Sequence, residues 1–137
     1  MITRLSVATI WVTDQAEALR FYTEKLGFEI RADVTNGDFR WLTIGLPNQP
    51  ELEFQLGAIK PSEQFTQEEA DKLAKLVKAG QMGIGPWKTD DCQKTYETFK
   101  NKGVEFIQPP TDRPYGIIEA IFKDNSGNIM VLTQDKP

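Results

Sequence analysis

The chain has 137 residues, which suffices for one domain of ordinary size or for two half-size modules that share a core. Its 20 acidic and 16 basic side chains give a net charge of −4, which argues against non-specific nucleic-acid binding because phosphate neutralisation needs a basic face. It contains no histidine and only one cysteine, so nucleophiles activated by histidine, histidine metal ligands and internal disulfides are excluded.

The N-terminal segment has none of the features of a secretory signal. Its apolar run at residues 7–12 is far shorter than the roughly 20 residues that span a bilayer. The lone cysteine, Cys92, is expected in the core and is compatible with a reducing compartment. We therefore predict a cytoplasmic protein with no membrane partner.

The first 57 residues predict a strand, a helix and three further strands, in that order. The helix begins at Asp14, which can form a capping box with Glu17, and it ends at Gly27. The dipeptide Asn36-Gly37 predicts a tight hairpin between the second and third strands. The four strands are expected at residues 5–12, 28–34, 39–44 and 51–56.

Residues 58–81 resemble neither half of the chain and are interpreted as a linker. Thr66 and Glu69 have the spacing of a capping box, and the apolar residues behind them recur at helical intervals. The linker is therefore predicted to contain one amphipathic helix. The expected organisation is one structural domain made of a first module at 1–57, this linker at 58–81 and a second module at 82–137.

The second module repeats the first at an offset of 76 residues, which predicts the same order of elements in both. The offset pairs five identities without a gap: Trp11 with Trp87, Thr13 with Thr89, Asp14 with Asp90, Gly27 with Gly103 and Glu29 with Glu105. Asp90 is therefore expected to cap the second helix. Further strands are predicted at 103–107, 116–123 and 128–134, with an irregular proline-rich loop at 108–113.

Three segments resemble the vicinal oxygen chelate superfamily, the group of glyoxalases, extradiol dioxygenases and bleomycin-resistance proteins. They are Val-Thr-Asp at 12–14, Phe-Tyr-Thr-Glu-Lys-Leu-Gly at 21–27 and Asp-Asn-Ser-Gly-Asn at 124–128. The resemblance covers nearly the whole chain outside the linker. It implies an α+β fold in which two tandem βαβββ modules form a curved eight-stranded mixed sheet around a cavity, and it implies a homodimer.

Enzymes of this superfamily hold one divalent metal in that cavity, and the resemblance assigns the ligand positions in this chain. Three of them fall on the aliphatic residues Val7, Ile84 and Val131, while Glu53 supplies the one carboxylate. A divalent ion needs about three or four lone-pair donors at short range. We therefore expect neither a metal nor another cofactor.

Strand alternation and the resemblance together indicate which side chains face the cavity. The candidate ligand-binding residues are Thr9, Trp11, Phe39, Trp41, Glu53, Trp87, Arg113 and Tyr115. For Trp11 and Trp87, ordinary core packing is an equal alternative. Arg113 and Tyr115 belong to the proline-rich segment. This segment is either a mobile loop that covers the mouth of the cavity or a stiff connection at the edge of the sheet.

Glu53 lies between two apolar residues of a strand and has three interpretations. It contacts a ligand, pairs with an internal arginine such as Arg40 or Arg113, or is solvated at an open rim. A carboxylate among aromatic side chains suits a cationic or amine-bearing ligand.

The leading functional prediction is a metal-free protein, similar to the bleomycin-resistance proteins, that sequesters a cationic or aromatic small molecule. Two alternatives stay open. One is a metal-independent lyase or isomerase with Glu53 as general base, and the other is a protein-interaction module. The aliphatic ligand positions argue against metal-dependent glyoxalase or dioxygenase activity.

Overall fold

The computed structural model describes residues Met1–Pro137 and confirms the α+β class and the repeated βαβββ order. The chain divides into two compact units, residues 1–75 and 76–137. Each unit contains one four-stranded mixed sheet, so the eight expected strands are shared equally between two sheets.

The first unit has the sheet order β1-β4-β3-β2, with β1 parallel to β4 and the other neighbours antiparallel. Helix α1 (Gln15–Arg20) runs directly into a π-helical turn at Phe21–Lys25. The strands are β1 (Val7–Val12), β2 (Glu29–Asn36), β3 (Phe39–Gly45) and β4 (Glu53–Ala58).

The predicted linker helix is present as α2 (Gln67–Lys78), and it begins with a reciprocal capping box. The Thr66 N–H donates to the Glu69 carboxylate at 2.9 Å, and the Glu69 N–H donates to Thr66 Oγ1 at 3.2 Å. These hydrogen bonds with Thr66 hold the pKa of Glu69 below its ordinary value.

The second unit has the equivalent sheet order β5-β8-β7-β6. Its helix α3 (Cys92–Asn101) lies between β5 and β6 along the chain. None of the helices in the chain combines the length and the apolar character needed to span a membrane. The strands are β5 (Trp87–Lys88), β6 (Glu105–Arg113), β7 (Ile117–Lys123) and β8 (Ile129–Asp135).

In each unit one face of the sheet is buried by apolar side chains. Tyr22 is fully buried in the first unit, with edge-to-face contacts to Phe21 and Phe28 at ring-centroid distances of 5.5 and 5.3 Å. In the second unit Phe122 contacts Phe99 and Phe106 at 5.7 and 5.3 Å. The alternate side chains of the same strands are thereby left to the opposite face, where the polar candidates lie.

The cap predicted for the second helix is wrong by one residue. Asp91, not Asp90, accepts the Lys94 N–H at 3.0 Å and precedes α3. The repeat offset is therefore 77 between the caps Asp14 and Asp91, although it returns to 76 between Gly27 and Gly103. The helical segment of the first unit is thus one residue longer than that of the second. The π-helical turn after α1 accommodates the additional residue, because a π turn contains one residue more than an α turn.

The irregular loop predicted at 108–113 is also wrong, because these residues continue β6. They pair with β7 from Gln108 with Ile121 to Arg113 with Ile117, and the register shifts on either side of Gln108. A β-bulge accommodates residues that cannot donate to the ladder, which allows Pro109 and Pro110 to remain in an edge strand.

The first hairpin turns one residue later than Asn36-Gly37. Asn36 pairs with Phe39, so Gly37 and Asp38 form the two-residue loop. Gly37 has a φ of +62°, whereas the φ of Asp38 is not positive. This combination is typical of a hairpin turn with glycine at its first central position.

Candidate functional site

The face of the first sheet opposite its apolar core, termed the polar face, carries two hydrogen-bonded pairs of side chains. Thr43 Oγ1 donates to Glu53 Oε1 at 2.6 Å, and Thr9 Oγ1 donates to Gln55 Oε1 at 3.0 Å. In the strand register Gln55 lies opposite both Thr9 of β1 and Thr43 of β3. Thr9 therefore bonds to the residue directly opposite, whereas Thr43 reaches Glu53, two residues before Gln55 on the same face of β4. Glu53 is half-buried and has Thr43 as its side-chain partner, which leaves Oε2 free to accept from another molecule.

The arginine partners considered for Glu53 are wrong. Arg40 forms a bidentate pair with Asp33, with both N–O distances at 2.9 Å. These hydrogen bonds hold the pKa of Asp33 below its ordinary value and raise that of Arg40. Arg113 pairs instead with Glu119 in the second unit at 3.1 Å.

Aromatic side chains share the polar face of the first sheet with Glu53. Phe39 and Trp41 lie with ring centroids 6.5 Å apart and their planes tilted by 31°, and Phe39 is 54% exposed. Trp11 makes an edge contact with Phe65 at 5.1 Å. Trp11, Phe39 and Phe65 line a cleft of about 70 Å³, which is well below the roughly 300–1,000 Å³ of ligand pockets.

A larger groove lies within the second unit and has a volume of about 620 Å³. That volume falls inside the usual range for small-molecule sites. Its wall is mostly apolar, and its polar side chains are those of Gln81, Tyr115, Glu119 and Thr133. The lining residues are Gly80–Pro86, Tyr115, Ile117, Glu119, Ile129, Val131 and Thr133.

Glu119 is the carboxylate in this groove, and the sequence interpretation did not select it. Its side chain is 14% exposed. Arg113 Nε donates to its Oε1 at 3.1 Å, Gln108 Nε2 donates to the same oxygen at 3.2 Å, and Tyr115 Oη lies 3.5 Å from Oε2. The available signal was the one used for Glu53, namely a lone acid inside a strand of apolar residues.

The second-unit candidates occupy different places around the groove. Tyr115 lines it and is 65% exposed in the turn after β6. Arg113 lies behind Glu119 as part of β6, in agreement with the stiff-edge alternative. Trp87 lines neither cavity, pairs with Leu132 of β8, and donates its indole N–H to the Ile84 carbonyl at 2.7 Å.

Strand pairing also locates the positions that the resemblance assigns to metal ligands. Val7 pairs with Glu53, and the pair displaced by 76 at both members is Gly83 with Ile129. Gly83, one residue before Ile84, is therefore the structural equivalent of Val7. By the same offset Val131 corresponds to Gln55, whose amide oxygen accepts the Thr9 hydroxyl.

The side chains at these positions do not fit a divalent metal. Valine, isoleucine and glycine supply no donor, and glutamine supplies only a neutral amide. No group of three or more His, Cys, Asp or Glu side chains lies close enough together to hold an ion.

Cys92 is the first residue of α3 and is fully buried. Burial raises the pKa of the thiol, and the neighbouring Asp91 carboxylate raises it further. We expect iodoacetamide to alkylate the native protein at neutral pH at least about tenfold more slowly than the denatured protein, because the thiolate is the reactive form. Equal rates would show that the thiol is exposed. With one cysteine in the chain, the mass change reports this site alone.

The fold defines a class of protein in which the βαβββ unit occurs twice along the chain, and the second unit carries an apolar groove of about 620 Å³. Residues 4–132 match the family model of the Glyoxalase/Bleomycin resistance protein/Dioxygenase superfamily, and the chain belongs to that superfamily.

Individual proteins resemble the chain over nearly its whole length. The Bacillus subtilis (strain 168) protein YurT is 36% identical over 133 residues, which cover 96% of this chain and 98% of YurT. The crystal structure of UcmS2 is 42% identical with a TM-score of 0.92, covering 98% of this chain and 100% of that one. TnmS3, an antibiotic binding protein from Streptomyces sp. CB03234, is 24% identical with a TM-score of 0.76 and covers 98% of both chains.

Proposed function

We propose that this protein binds a cationic or aromatic small molecule without a metal and without converting it. The observation that carries the proposal is the groove of about 620 Å³ in the second unit, which has an apolar wall and a single carboxylate. Small-molecule sites commonly combine an apolar lining with a few fixed polar groups. TnmS3, which shares the fold, is an antibiotic binding protein, in keeping with this proposal.

The metal-free part of the proposal follows from the donor set. Among the positions inherited from the metal enzymes, Glu53 is the one with a carboxylate, and its neighbour in the strand pairing is the aliphatic Val7. A single carboxylate supplies too few ligands for a tight divalent site. The retained fold therefore serves binding in place of metal-assisted chemistry.

The cationic part of the proposal rests on Glu53. This carboxylate has no basic partner, in contrast to Glu119, and it shares a sheet face with Trp41 and Phe39. A quaternary ammonium is attracted both by a carboxylate and by the faces of aromatic rings. We expect such a group to contact this face.

Calorimetric titration with (2-naphthyl)trimethylammonium and with 2-naphthol tests the proposal. We expect saturable binding that is unchanged after dialysis against EDTA, with both compounds recovered chemically intact. Glu53→Gln should weaken the ammonium about fivefold, since two unit charges 4 Å apart interact by about 1 kcal/mol even in water. Glu51→Gln, an exposed acid just before β4, is the matched control and should change little.

Two results would contradict the proposal. The first is a stoichiometric metal in the untreated protein whose removal abolishes binding. The second is conversion of a compound that is lost in Glu53→Gln, which would favour general-base catalysis over sequestration.

A further inference from the structure

We propose that the groove of the second unit selects a neutral, largely apolar compound through one hydroxyl or N–H donor, and that Glu119 accepts this hydrogen bond. The inference rests on the proposed binding function and assigns a ligand class to one of its surfaces. It is carried by the hydrogen bonds of Glu119, by the charge of Arg113 and by the wall of the groove.

The two oxygens of the Glu119 carboxylate have different surroundings. Oε1 already accepts from Arg113 Nε at 3.1 Å and from Gln108 Nε2 at 3.2 Å. Oε2 has one neighbour, Tyr115 Oη, at 3.5 Å, which is long beside the usual 2.7–2.8 Å or so of an O–H···O hydrogen bond. Oε2 therefore keeps most of its acceptor capacity, and it belongs to the residue that lines the groove.

Arg113 and Gln108 fix the carboxylate without lining the groove. Arg113 Nη2 donates to Gln108 Oε1 at 2.7 Å, and Gln108 Nε2 also donates to the Glu119 carbonyl at 3.1 Å. The three side chains form a closed network on β6 and β7. Arg113 and Gln108 are thus positioning residues, and Glu119 is the residue that contacts the ligand.

The charge of this network favours a neutral donor over a cation. The Arg113 guanidinium balances the Glu119 carboxylate, whose side chain is 14% exposed, so the two formal charges cancel in partly desolvated surroundings. A quaternary ammonium would meet both the acid and the arginine behind it. A hydroxyl or amide N–H needs only the acceptor, and a hydrogen bond to a charged oxygen is stronger than one to a neutral oxygen.

The remaining wall suits an apolar body. Ile84, Pro86, Ile117, Ile129 and Val131 line the same groove as Glu119 with hydrocarbon. Thr133 is buried, and its hydroxyl is directed to the Trp87 carbonyl at 3.4 Å. The other two polar side chains of the lining, those of Gln81 and Tyr115, are exposed. Glu119 is accordingly the main polar anchor, and one donor on the ligand satisfies it.

Three naphthalene probes separate these contributions in calorimetric titrations of the full chain. They are 2-naphthol with a donor, 2-methoxynaphthalene without one, and (2-naphthyl)trimethylammonium with a charge. For the native protein we expect 2-naphthol to bind about tenfold more tightly than its methyl ether. Shifts of the backbone amides at 80–85 in ¹H–¹⁵N spectra should report its binding in this groove.

Variants then assign the preference to Glu119 and Arg113. Glu119→Met should reduce the ratio of naphthol to ether affinities to about one, whereas Glu119→Gln keeps an acceptor and should retain part of it. Arg113→Met leaves the carboxylate unbalanced and should strengthen the ammonium about fivefold relative to the ether. If Arg113 had a purely structural role, its replacement would not raise the affinity for the ammonium relative to that for the ether. Lys88→Met, which removes an exposed ion pair of the same unit, is the control and should leave all three affinities unchanged.

The outcomes distinguish this inference from the function on which it rests. If the three probes bind equally well, the binding function stands and the role of Glu119 is overturned. If the ether keeps its native affinity in Glu119→Met while 2-naphthol still binds more tightly than the ether, the donor is recognised by another residue. The inference is then likewise overturned. If none of the probes binds, both the binding function and the inference fail.

Discussion

Gly83→Ala is expected to lower the free energy of unfolding by about 3 kcal/mol and to open the groove of the second unit. A Cβ at this position would lie 2.1 Å from the carbonyl oxygen of Ile129 and 3.0 Å from its carbonyl carbon. Because these are backbone atoms of β8, no side-chain rotation relieves the clash. Relief requires residues 80–86 to move away from β8, which breaks the 2.8 Å hydrogen bond from the Ile129 N–H to the Met82 carbonyl.

Urea unfolding and amide hydrogen exchange measure the two effects of Gly83→Ala separately. Exchange should accelerate at Ile129, and 2-naphthol affinity should fall with it. The control is Gly116→Ala, which has φ +84° and no atom within 4 Å of its added Cβ, so that it carries only the backbone penalty of about 1–2 kcal/mol. If Gly83→Ala destabilises less than Gly116→Ala, the close approach to Ile129 does not constrain this segment.

Local signals in the sequence were sufficient for most of the helix starts. Asp14 caps α1 by accepting the Glu17 N–H at 2.9 Å, as its spacing to Glu17 predicted. Thr66 and Glu69 form the expected box at α2. These features are predictable because donor and acceptor lie within three residues, and no distant part of the chain is needed to bring them together.

The repeat predicts the wrong cap where the two units differ by a single residue. Exact offset matching favoured Asp90, while the chain caps α3 with Asp91 and compensates through the π-helical turn of the first unit. The apolar residues Tyr96 and Phe99 of α3 are consistent with this shift, because they lie one residue beyond the positions that an offset of 76 assigns to Leu19 and Tyr22. Identities at fixed spacing cannot reveal an insertion that is cancelled a few residues later.

The site was less predictable than the fold, because its polar contacts join different strands. The partner of Glu53 is Thr43 of a neighbouring strand, not an arginine, and Arg113 reaches Glu119 only because residues 108–113 form a strand. Prolines at 109 and 110 argued for a loop in the sequence, since proline removes a ladder donor. Pairing of β6 with β7 across shifted registers outweighs that local preference.

The turn before β8 depends on one buried acid. Asp124 Oδ1 accepts the backbone N–H groups of Ser126, Gly127 and Asn128 at 2.9, 3.0 and 2.9 Å. Its Oδ2 accepts the Asn128 side-chain amide at 2.9 Å. Asp124, Ser126 and Asn128 are all buried, so water cannot readily replace these acceptors.

Asp124→Ala should therefore lower the free energy of unfolding by about 3–4 kcal/mol, because several buried donors lose their acceptor at a cost of roughly 1–3 kcal/mol each. Asp124→Asn retains one acceptor oxygen and should cost about half as much. Asp135→Ala, which removes only the exposed ion pair with Lys88, should cost about 1 kcal/mol or less. Urea titrations of the three variants rank them directly. A cost for Asp124→Ala no greater than that of Asp135→Ala would show that the turn forms without its carboxylate, and that the strand pairing of β7 with β8 suffices to hold the wall of the groove in place.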